Sequence, residues 1–401
     1  MDLALLPESA EVAATARSML ARHAATSGPA PTRAPNRAPG QTRPVGPAGA
    51  AGQGLPAGAA GQGPAAGAGD PLWRAVVAAG WLDILADSDL DYPRLEAAIG
   101  LLREVGRALP DAAIQTGLAA RWLAAALPGL AGWRDHLAGQ PDRIVALSWP
   151  LGVPRQLPLR LTRRDGGYRL DGDLGLVREA AVAADLLALA DLDGQPMLAV
   201  LPLDAEGAQV TPADAVGGLR QARVQADGLP LAGDEVSPAP AAGQKARADA
   251  LLLILDAAEL TGCAEMALEM TVHHARTRRQ FGRPLGAFQA VRHRIADMSS
   301  DVAQSRWLLY RAADRLARAQ DPAAAVTEAH ALALWNSVAL ERVISSAHQV
   351  HGGVGFIRDH PLHRYFGRQK ASMFSWGQSA DYAAFVLASL FPAQELAFCG
   401  N

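Results

Sequence analysis

The sequence predicts a mostly helical protein with a small antiparallel β-domain, a barrel or a sandwich, at its centre. Three observations lead to this fold class. Apolar residues recur at helical spacing on both sides of the middle of the chain, and residues 142–235 show short alternating runs separated by turn residues. The length of 401 residues also allows two or three domains with a large core.

Residues 1–24 predict a short amphipathic helix, because Leu3, Leu6 and Val12 begin a helical spacing of apolar residues after an acidic start. Residues 25–70 differ, since alanine, glycine and proline dominate them and larger apolar side chains are almost absent. Such a segment cannot offset its ordering entropy by burial. We interpret it as a disordered linker, with a partner-binding tether as the less favoured alternative.

Residues 71–140 predict a helical front domain. One helix follows Asp70-Pro71, and two more are expected at 92–109 and 112–127. Residues 141–240 predict the β-domain, with alternating runs such as LPLRLTRR and PMLAVLPL. Two tripeptides, Asp165-Gly166-Gly167 and Leu192-Asp193-Gly194, have the composition of tight hairpin turns.

Residues 241–401 predict a helical bundle. The expected helices are 248–274, 301–318, 322–351 and 379–390. Gly262 is the one breaker within the first of them. Asp321 and Pro322 form a suitable N-cap and first-turn pair for the third helix, which should end at Gly352.

Residues 275–298, ARTRRQFGRPLGAFQAVRHRIADM, predict a basic turn between two helical segments. Positive charge is concentrated there at Arg276, Arg278, Arg279 and Arg283. A fork of guanidinium donors beside amides and an aromatic ring suits a pyrophosphate and an adjoining planar ring. The alternative is a solvated basic connection between two bundle helices.

Composition argues against several classes of function. Charge is nearly balanced, with 37 Lys and Arg against 40 Asp and Glu, so nothing global indicates binding to nucleic acid or an anionic membrane. The two cysteines, Cys263 and Cys399, provide neither a disulfide framework nor a metal-ligand spacing. No segment is long and apolar enough for a membrane span, and the N-terminus lacks the basic start of a signal peptide. We expect a cytoplasmic protein.

Two motifs resemble those of the acyl-CoA dehydrogenase family. The basic turn is similar to the signature of that family, and QVHGGVG at 349–355 repeats the likeness at the expected distance. The resemblance implies a flavoprotein that binds FAD and an acyl-CoA substrate. It also implies an N-terminal helical domain, a central β-domain and a C-terminal four-helix bundle.

The resemblance further implies where this chain contacts FAD. In the family, the basic turn and a Gln-x-x-Gly-Gly pattern bind the ADP half of a flavin held by a neighbouring subunit. The matching positions here are Arg278, Gln280, Phe281, Leu285, Gln289, Gln349, Gly352 and Gly353. A simple helix C-cap would account for one of the two glycines without any ligand.

The positions that hold the flavin ring within one subunit of the family are altered here. The family's loop Thr-Glu-Pro-x-Ala-Gly-Ser-Asp corresponds to residues 148–156, where only Ser148 and Pro150 are similar. The tryptophan that stacks on the ring corresponds to Leu176, and the threonine that bonds the flavin edge corresponds to Arg178. An arginine could still meet an anionic reduced flavin, but the geometry of the family is not retained.

The catalytic base of the family is missing from both of its expected places. The usual glutamate corresponds to Trp376, and the alternative position used by some members corresponds to Leu252. Neither side chain accepts a proton. Four nearby carboxylates could substitute, although a surface or capping role is favoured for each of them: Asp249, Asp256, Glu259 and Asp381.

Seven histidines lie close together in the C-terminal part of the sequence: His273, His274, His293, His348, His351, His360 and His363. A metal site would need a fixed pair on one helical face with a carboxylate nearby. The spacing does not provide this pair, so ordinary interface or capping roles are favoured and no metal is expected.

The residues that would serve a neighbour's FAD are present, whereas those that would serve the chain's own flavin are changed. The sequence therefore resembles a non-catalytic partner in a heteromeric acyl-CoA dehydrogenase, an arrangement found in the family in steroid side-chain breakdown. Two alternatives stay open. One is a self-sufficient homotetrameric flavoenzyme with an unorthodox base, and the other is a scaffold that binds neither flavin nor thioester.

Overall fold

The computed structural model describes residues 6–27, 70–152, 156–213, 219–318, 321–357 and 359–391. Almost all of the predicted linker at 25–70 lies outside the described residues, and so does the tail after residue 391. Within the described part the chain is mostly helical with a central sheet, which confirms the predicted fold class. No helix in these ranges is long and apolar enough to cross a membrane.

Five helices precede the sheet in the described part of the chain: α1 (Pro7–Ser27), α2 (Pro71–Ala78), α3 (Tyr92–Ala108), α4 (Ile114–Ala126) and α5 (Ala131–Gly139). α1 lies against α3, where the Leu6 N–H donates to Glu96 Oε2 at 2.9 Å and Arg17 pairs with Glu104 at 2.6 Å. Asp70 caps α2 by accepting a hydrogen bond from the Leu72 N–H at 2.8 Å.

The described strands of the central sheet are β1 (Val145–Ser148), β2 (Leu159–Arg164), β3 (Gly167–Val177), β4 (Asp185–Leu192), β5 (Gln195–Pro202), β6 (Ala208–Pro212), β7 (Ala222–Ala232) and β8 (Val236–Pro238). Their order is β6-β7-β3-β2-β4-β5-β8, with β1 pairing to β4. Most pairs are antiparallel as predicted, but β1 and β2 both run parallel to β4. The sheet is therefore mixed rather than purely antiparallel, and this path of strands does not close into a barrel.

Both predicted hairpin turns are present. Asp165 and Gly166 connect β2 to β3, and Gly166 has a φ of 83°. Asp193 and Gly194 connect β4 to β5, with φ values of 54° and 83°. In the second turn, φ is positive at both loop positions, which is the geometry of a type I′ turn and matches the twist of the flanking strands.

A helical bundle follows the sheet and contains α6 (Ala242–Thr277), α7 (Gln289–Arg318), α8 (Pro322–His351), α9 (Leu362–Ser375) and α10 (Ser379–Leu390). The Asp321 side chain caps α8 as predicted by accepting from the Ala323 N–H at 2.9 Å. α7 is one continuous helix that begins at Gln289, twelve residues before the predicted start at 301. α9 is a helix that sequence reasoning does not find.

The sheet separates two parts of the core. Leu187 and Leu189 of β4 pack towards the front helices and α6, whereas Leu186 and Ala188 face a second core inside the β-domain. Successive side chains of a strand point to opposite faces, so β4 is buried on both. This explains why its sequence, DLLALADL, is almost continuously apolar.

Helices α3 and α6 cross with almost no side chain between their backbones. A Cβ atom added at Gly106 would lie 1.9 Å from the Glu259 carbonyl oxygen, and one added at Gly262 would lie 2.0 Å from the Arg103 carbonyl oxygen. Both positions therefore require glycine. Gly262 does not interrupt α6, as a breaker would; instead it allows α3 to approach.

We expect Gly262→Ala to destabilise the protein, even though alanine favours a helix over glycine by about 1 kcal/mol. The added methyl group would push α3 away from α6, and overpacking of this kind costs about 1–3 kcal/mol. The midpoint of chemical denaturation, followed by circular dichroism, should fall.

Gly243→Ala on the same helix is the matched control. A Cβ atom there would meet only Pro322 Cγ within 4 Å, at an ordinary 3.8 Å, so the midpoint should stay the same or rise slightly. If Gly262→Ala behaved like Gly243→Ala, the close crossing of α3 and α6 would be disproved.

Candidate functional site

The basic turn after α6 is a small β-hairpin. Its strands, β9 (Arg279–Gln280) and β10 (Arg283–Pro284), pair antiparallel. Phe281 and Gly282 form the two-residue loop, with φ values of 51° and 79°. These values again indicate a type I′ turn, so the hairpin is short and closely defined.

Phe281 projects from the tip of this hairpin. Its side chain is 91% exposed, and its ring meets the edge of Phe288 with 6.2 Å between ring centroids. A bulky residue at positive φ is uncommon, because the Cβ atom crowds the following carbonyl oxygen at a cost of about 1–2 kcal/mol. Backbone strain of this kind clusters at binding and active sites.

The other predicted residues of the turn lie beside the hairpin. Arg278 directly follows α6, and its carbonyl oxygen accepts from the Leu285 N–H at 2.9 Å, which closes the base of the turn. Gln280 lies on β9 and Gln289 begins α7, and both are exposed. The sequence thus places their side chains at the surface, where a neighbouring molecule can reach them.

The second motif lies at the end of α8. Gly352 caps the helix by donating its N–H to the His348 carbonyl oxygen, and its φ of 62° favours glycine. Gly353 has no such requirement, since its φ lies outside the left-handed range and an added Cβ would meet nothing within 4 Å. The C-cap therefore explains Gly352 but not Gly353. Gln349 is exposed in the last turn of α8.

Arg278 and Gly353 line one open cavity of about 780 Å³, which we call the outer cavity. Its lining residues are His274, Thr277, Arg278, His351, Gly353, Val354 and Ile357. Among these described residues there are cationic and titratable groups but no carboxylate. The remaining predicted residues lie outside this lining, so the single chain does not gather the whole set into one pocket: Gln280, Phe281, Leu285, Gln289, Gln349 and Gly352.

A second cavity, of about 410 Å³, lies where the central sheet meets the front helices and the loop after α9; we call it the inner cavity. It brings together the positions that the resemblance assigns to the flavin ring and the base: Ser148, Pro150, Leu176, Arg178 and Trp376. Most of the remaining wall is apolar. Its described lining contains no carboxylate, while residues 153–155 of the neighbouring loop lie outside the described part. Leu252 is buried in the core, 2% exposed.

Arg178 belongs to a buried group of charges behind the inner cavity, which we call the ion cluster. Its guanidinium lies 3.0 Å from Glu259, 3.5 Å from Glu179 and 3.6 Å from Asp256. Arg368 of α9 pairs with the same Glu259 at 2.7 Å. The charge of Arg178 is therefore matched inside the protein and is not free for a ligand in the cavity.

The pKa values of the ion cluster follow from burial and from this pairing. Burial alone would lower the pKa of the Arg178 guanidinium, but the three neighbouring carboxylates more than offset it and raise that pKa. Burial raises the pKa of Glu179 and of Asp256. Burial also acts on Glu259, yet the two arginines outweigh it and hold the pKa of Glu259 below its usual range.

The prediction of surface or capping roles is wrong for Asp249, Asp256 and Glu259, which are all buried. Asp249 accepts from Trp149 Nε1 at 2.7 Å, from the Gly152 N–H at 3.0 Å and from Lys245 Nζ at 2.6 Å. These bonds hold the loop before residue 153 against α6.

The same prediction is correct for Asp381, which caps α10 by accepting from the Gln378 N–H at 2.9 Å. Asp256 accepts from Ser372 Oγ at 2.5 Å and lines a cavity of only about 20 Å³, which has room for a water molecule but not for a thioester. None of these carboxylates lines the inner cavity.

Sequence reasoning overlooks Lys245 and Arg368. Lys245 stands one helical turn before Asp249, and this spacing is a signal that could have identified the pair. Arg368 lies 109 residues from Glu259 in the chain, so no local pattern indicates their contact.

We expect Glu259→Gln to destabilise the protein by about 3 kcal/mol or more, since Arg178 and Arg368 would both lose a buried counter-charge. Chemical denaturation measures the loss. Glu269→Gln on the same helix is the control, because Glu269 is 57% exposed where it pairs with Arg107 and should cost less than about 1 kcal/mol. Equal midpoints for the two variants would contradict a stabilising role of the ion cluster.

Residues 254–383 match the family model described as "Acyl-CoA dehydrogenase, C-terminal domain". Over 323 residues the chain is 32% identical to acyl-CoA dehydrogenase FadE27 of Mycobacterium tuberculosis, and the match covers 76% of this chain and 84% of that relative. The relative is thus matched over most of its length, including parts that precede the C-terminal domain.

Two solved structures share the fold over nearly the whole chain. A variant of the Tcur3481-Tcur3483 steroid ACAD has a TM-score of 0.75 at 23% identity, with 97% of this chain and 99% of that chain covered. The ChsE4-ChsE5 complex from Mycobacterium tuberculosis has a TM-score of 0.73 at the same identity and coverage. At this identity the two structures establish the fold, and the similarity to FadE27 establishes the kinship: the chain belongs to the acyl-CoA dehydrogenase family.

Proposed function

We propose that this chain is the non-catalytic subunit of a heteromeric, FAD-dependent acyl-CoA dehydrogenase, which desaturates an acyl-CoA thioester between its α and β carbons. In this proposal the chain completes the ADP end of a flavin seated in a partner chain. The observation that carries the proposal is the inner cavity, whose described lining includes Trp376 and Arg178 but no carboxylate.

Desaturation of a thioester needs a group that accepts the α-proton, while bound FAD accepts the β-hydride. The acceptor must be a base whose pKa suits the task and which stands within hydrogen-bond reach of the substrate. Trp376 cannot accept a proton, and Leu252 lies in the apolar core. The buried carboxylates nearby are occupied by arginine, lysine or serine partners, so none is available as a substitute.

The residues of the inner cavity fit a flavin ring poorly. A ring placed there would meet the aliphatic side chain of Leu176, where the family has a stacking tryptophan. It would also lie beside Arg178, whose charge is already matched by Glu259, Glu179 and Asp256. An additional favourable contact with an anionic flavin would therefore have to disrupt the ion cluster.

The residues at the surface fit the ADP end of a flavin well. Arg278 supplies a fork of donors for a diphosphate, and Gly353 allows a close approach to its main-chain N–H. Phe281 offers an exposed aromatic ring, held outward by the hairpin. Apolar side chains surround the outer cavity, with Phe356 71% exposed and Val354 and Ile357 each 49% exposed, as expected where another chain packs.

The proposed partner is a second acyl-CoA dehydrogenase chain that carries the base. Support comes from the ChsE4-ChsE5 structure, which is a complex, and from the similar steroid ACAD. These likenesses also favour a role in lipid or steroid catabolism. A homo-oligomer is the alternative, but it would leave every inner cavity without a carboxylate among its described residues.

Arg278→Ala should reduce the flavin content of the complex formed with the partner. Loss of a charge-assisted contact to phosphate costs about 1.5–3 kcal/mol, so FAD should bind at least about tenfold more weakly. The measurement is FAD per complex, from the visible spectrum after gel filtration.

Arg315→Ala provides a matched control, because Arg315 is an exposed arginine near the far end of α7. It should leave the flavin content unchanged. Normal flavin content in the Arg278 variant would refute the proposed role of the turn. A yellow homotetramer of this chain alone, bleached by a CoA thioester, would instead favour the self-sufficient enzyme.

Trp376→Phe should change the flavin-dependent turnover of the complex by less than about twofold. The substitution keeps an aromatic side chain in the wall of the inner cavity, and the proposal assigns no chemistry to that wall. Steady-state rates with the partner present test this. A large loss of turnover at unchanged flavin content would mean that the inner cavity takes part in the reaction.

A further inference from the structure

The outer cavity borders a cluster of histidines that the proposed function does not use. The rings of His274 and His351 are stacked, with centroids 4.4 Å apart and an angle of 28° between their planes. His360 lies against the same ring of His351 at 4.8 Å. We call His274, His351 and His360 the histidine cluster.

A metal site does not account for this cluster. Stacked imidazoles direct their ring nitrogens sideways, whereas a bound ion needs nitrogens that converge on one point. In the described ranges, no group of three or more histidine, cysteine or acidic side chains is arranged to hold a metal. Stacking brings these rings together, and each ring can still take up a proton.

Hydrogen bonds fix the proton of His351 on one ring nitrogen. Its Nδ1 lies 2.8 Å from the Ala347 carbonyl oxygen, which can only accept, so Nδ1 carries the hydrogen. In the neutral ring, Nε2 is then an acceptor and offers nothing to an anion. Protonation converts Nε2 into a donor and adds a positive charge. His351 therefore contributes nothing to anion binding when it is neutral and favours anion binding when it is protonated.

The surroundings of these rings favour their neutral form. Burial lowers the pKa of His274, His351 and His360, and neighbouring basic side chains lower it further, although for His351 the hydrogen bond to the Ala347 carbonyl acts in the opposite direction. These neighbours come from three helices. His273 lies on α6 and Arg278 directly follows it, His348 lies on α8, and His363 lies on α9. Asp359 precedes His360 in the chain but is exposed, and no hydrogen bond or ion pair to the cluster is found for it in the described residues.

We propose that the histidine cluster is a proton-coupled anion site, which takes up protons when a diphosphate occupies the outer cavity. Arg278 and the main chain of Gly353 would contact the diphosphate at any pH, and the imidazoles would add positive charge only when they are protonated. This inference rests on the proposed function, since the diphosphate is that of the ADP end of the flavin. It adds a dependence on pH that the motif residues alone do not provide.

The direction of the effect follows from linkage. The pKa values of the free cluster lie below the usual value for histidine, and a bound anion raises them. The affinity for the anion therefore rises as pH falls from the histidine pKa of the anion-bound protein towards the lower pKa of the free protein. Above and below this range of pH the affinity is constant. Each unit by which the ligand raises one pKa corresponds to a tenfold gain in affinity.

The test is calorimetric titration of the purified full chain with ADP-ribose, whose internal diphosphate keeps its charge across neutral pH. Titrations at about pH 5.5 and about pH 8, on either side of the ordinary histidine range, should differ about tenfold in affinity. Paired buffers with different ionisation enthalpies should show net proton uptake. Adenosine, which lacks the phosphates, should show no such dependence.

Three variants make the test specific. His351→Gln and His274→Gln should each reduce the tenfold difference in affinity between about pH 5.5 and about pH 8, because each variant removes one titrating ring. His293→Gln, an exposed histidine of α7 away from the outer cavity, should behave as the wild type.

Equal affinity at both pH values, or a pH dependence that survives both cluster variants, would overturn the inference. So would a failure of ADP-ribose to bind at either pH. None of these results bears on FAD in the complex with the partner, which the Arg278 variant tests separately. A complex that keeps FAD in an Arg278-dependent but pH-independent manner would therefore leave the proposed function standing without the histidine cluster.

Discussion

Three parts of the molecule depend on one residue of α6, Glu259. Its carbonyl oxygen lies where α3 crosses at Gly106, and its carboxylate joins Arg178 at the end of β3 to Arg368 of α9. A buried carboxylate without partners would cost several kcal/mol, so the sheet and α9 must supply both arginines together. Glu259 thereby links α3 of the front helices to the end of β3 and to α9.

Under the proposed function, the contacts of Glu259 explain how the chain could keep the fold of its family without its chemistry. The resemblance assigns Arg178 to a position that bonds the flavin in the family, whereas in this chain Arg178 pairs with Glu259, Glu179 and Asp256. In this proposal, contacts within the protein replace the contacts that hold the flavin ring in the family. The two surface motifs, the basic hairpin and the end of α8, do not depend on these interior contacts, because each is formed by a local turn. In the proposed complex, the surface of such a subunit would contact the neighbour's flavin while its interior is purely structural.

Local signals made much of the fold predictable. Asp321 and Pro322 mark the start of α8, and Asp193-Gly194 marks a hairpin, because capping and turn geometry involve only adjacent residues. The motif positions of the basic turn could also be assigned in advance. The ion cluster could not, since Arg178 and Glu259 are 81 residues apart and no periodicity connects them. Gly262 has the appearance of a helix breaker in the sequence, because its role in the crossing is visible only when α3 is in place.

The strained hairpin tip has a kinetic consequence. Phe281 holds a positive φ already in the single chain, so its unfavourable backbone conformation is established when the protein folds. A backbone that is fixed in advance loses little further freedom on contact. Assembly with a neighbouring subunit then needs no slow rearrangement of this loop, and its rate should be limited by diffusion and orientation, as in the docking of two rigid surfaces.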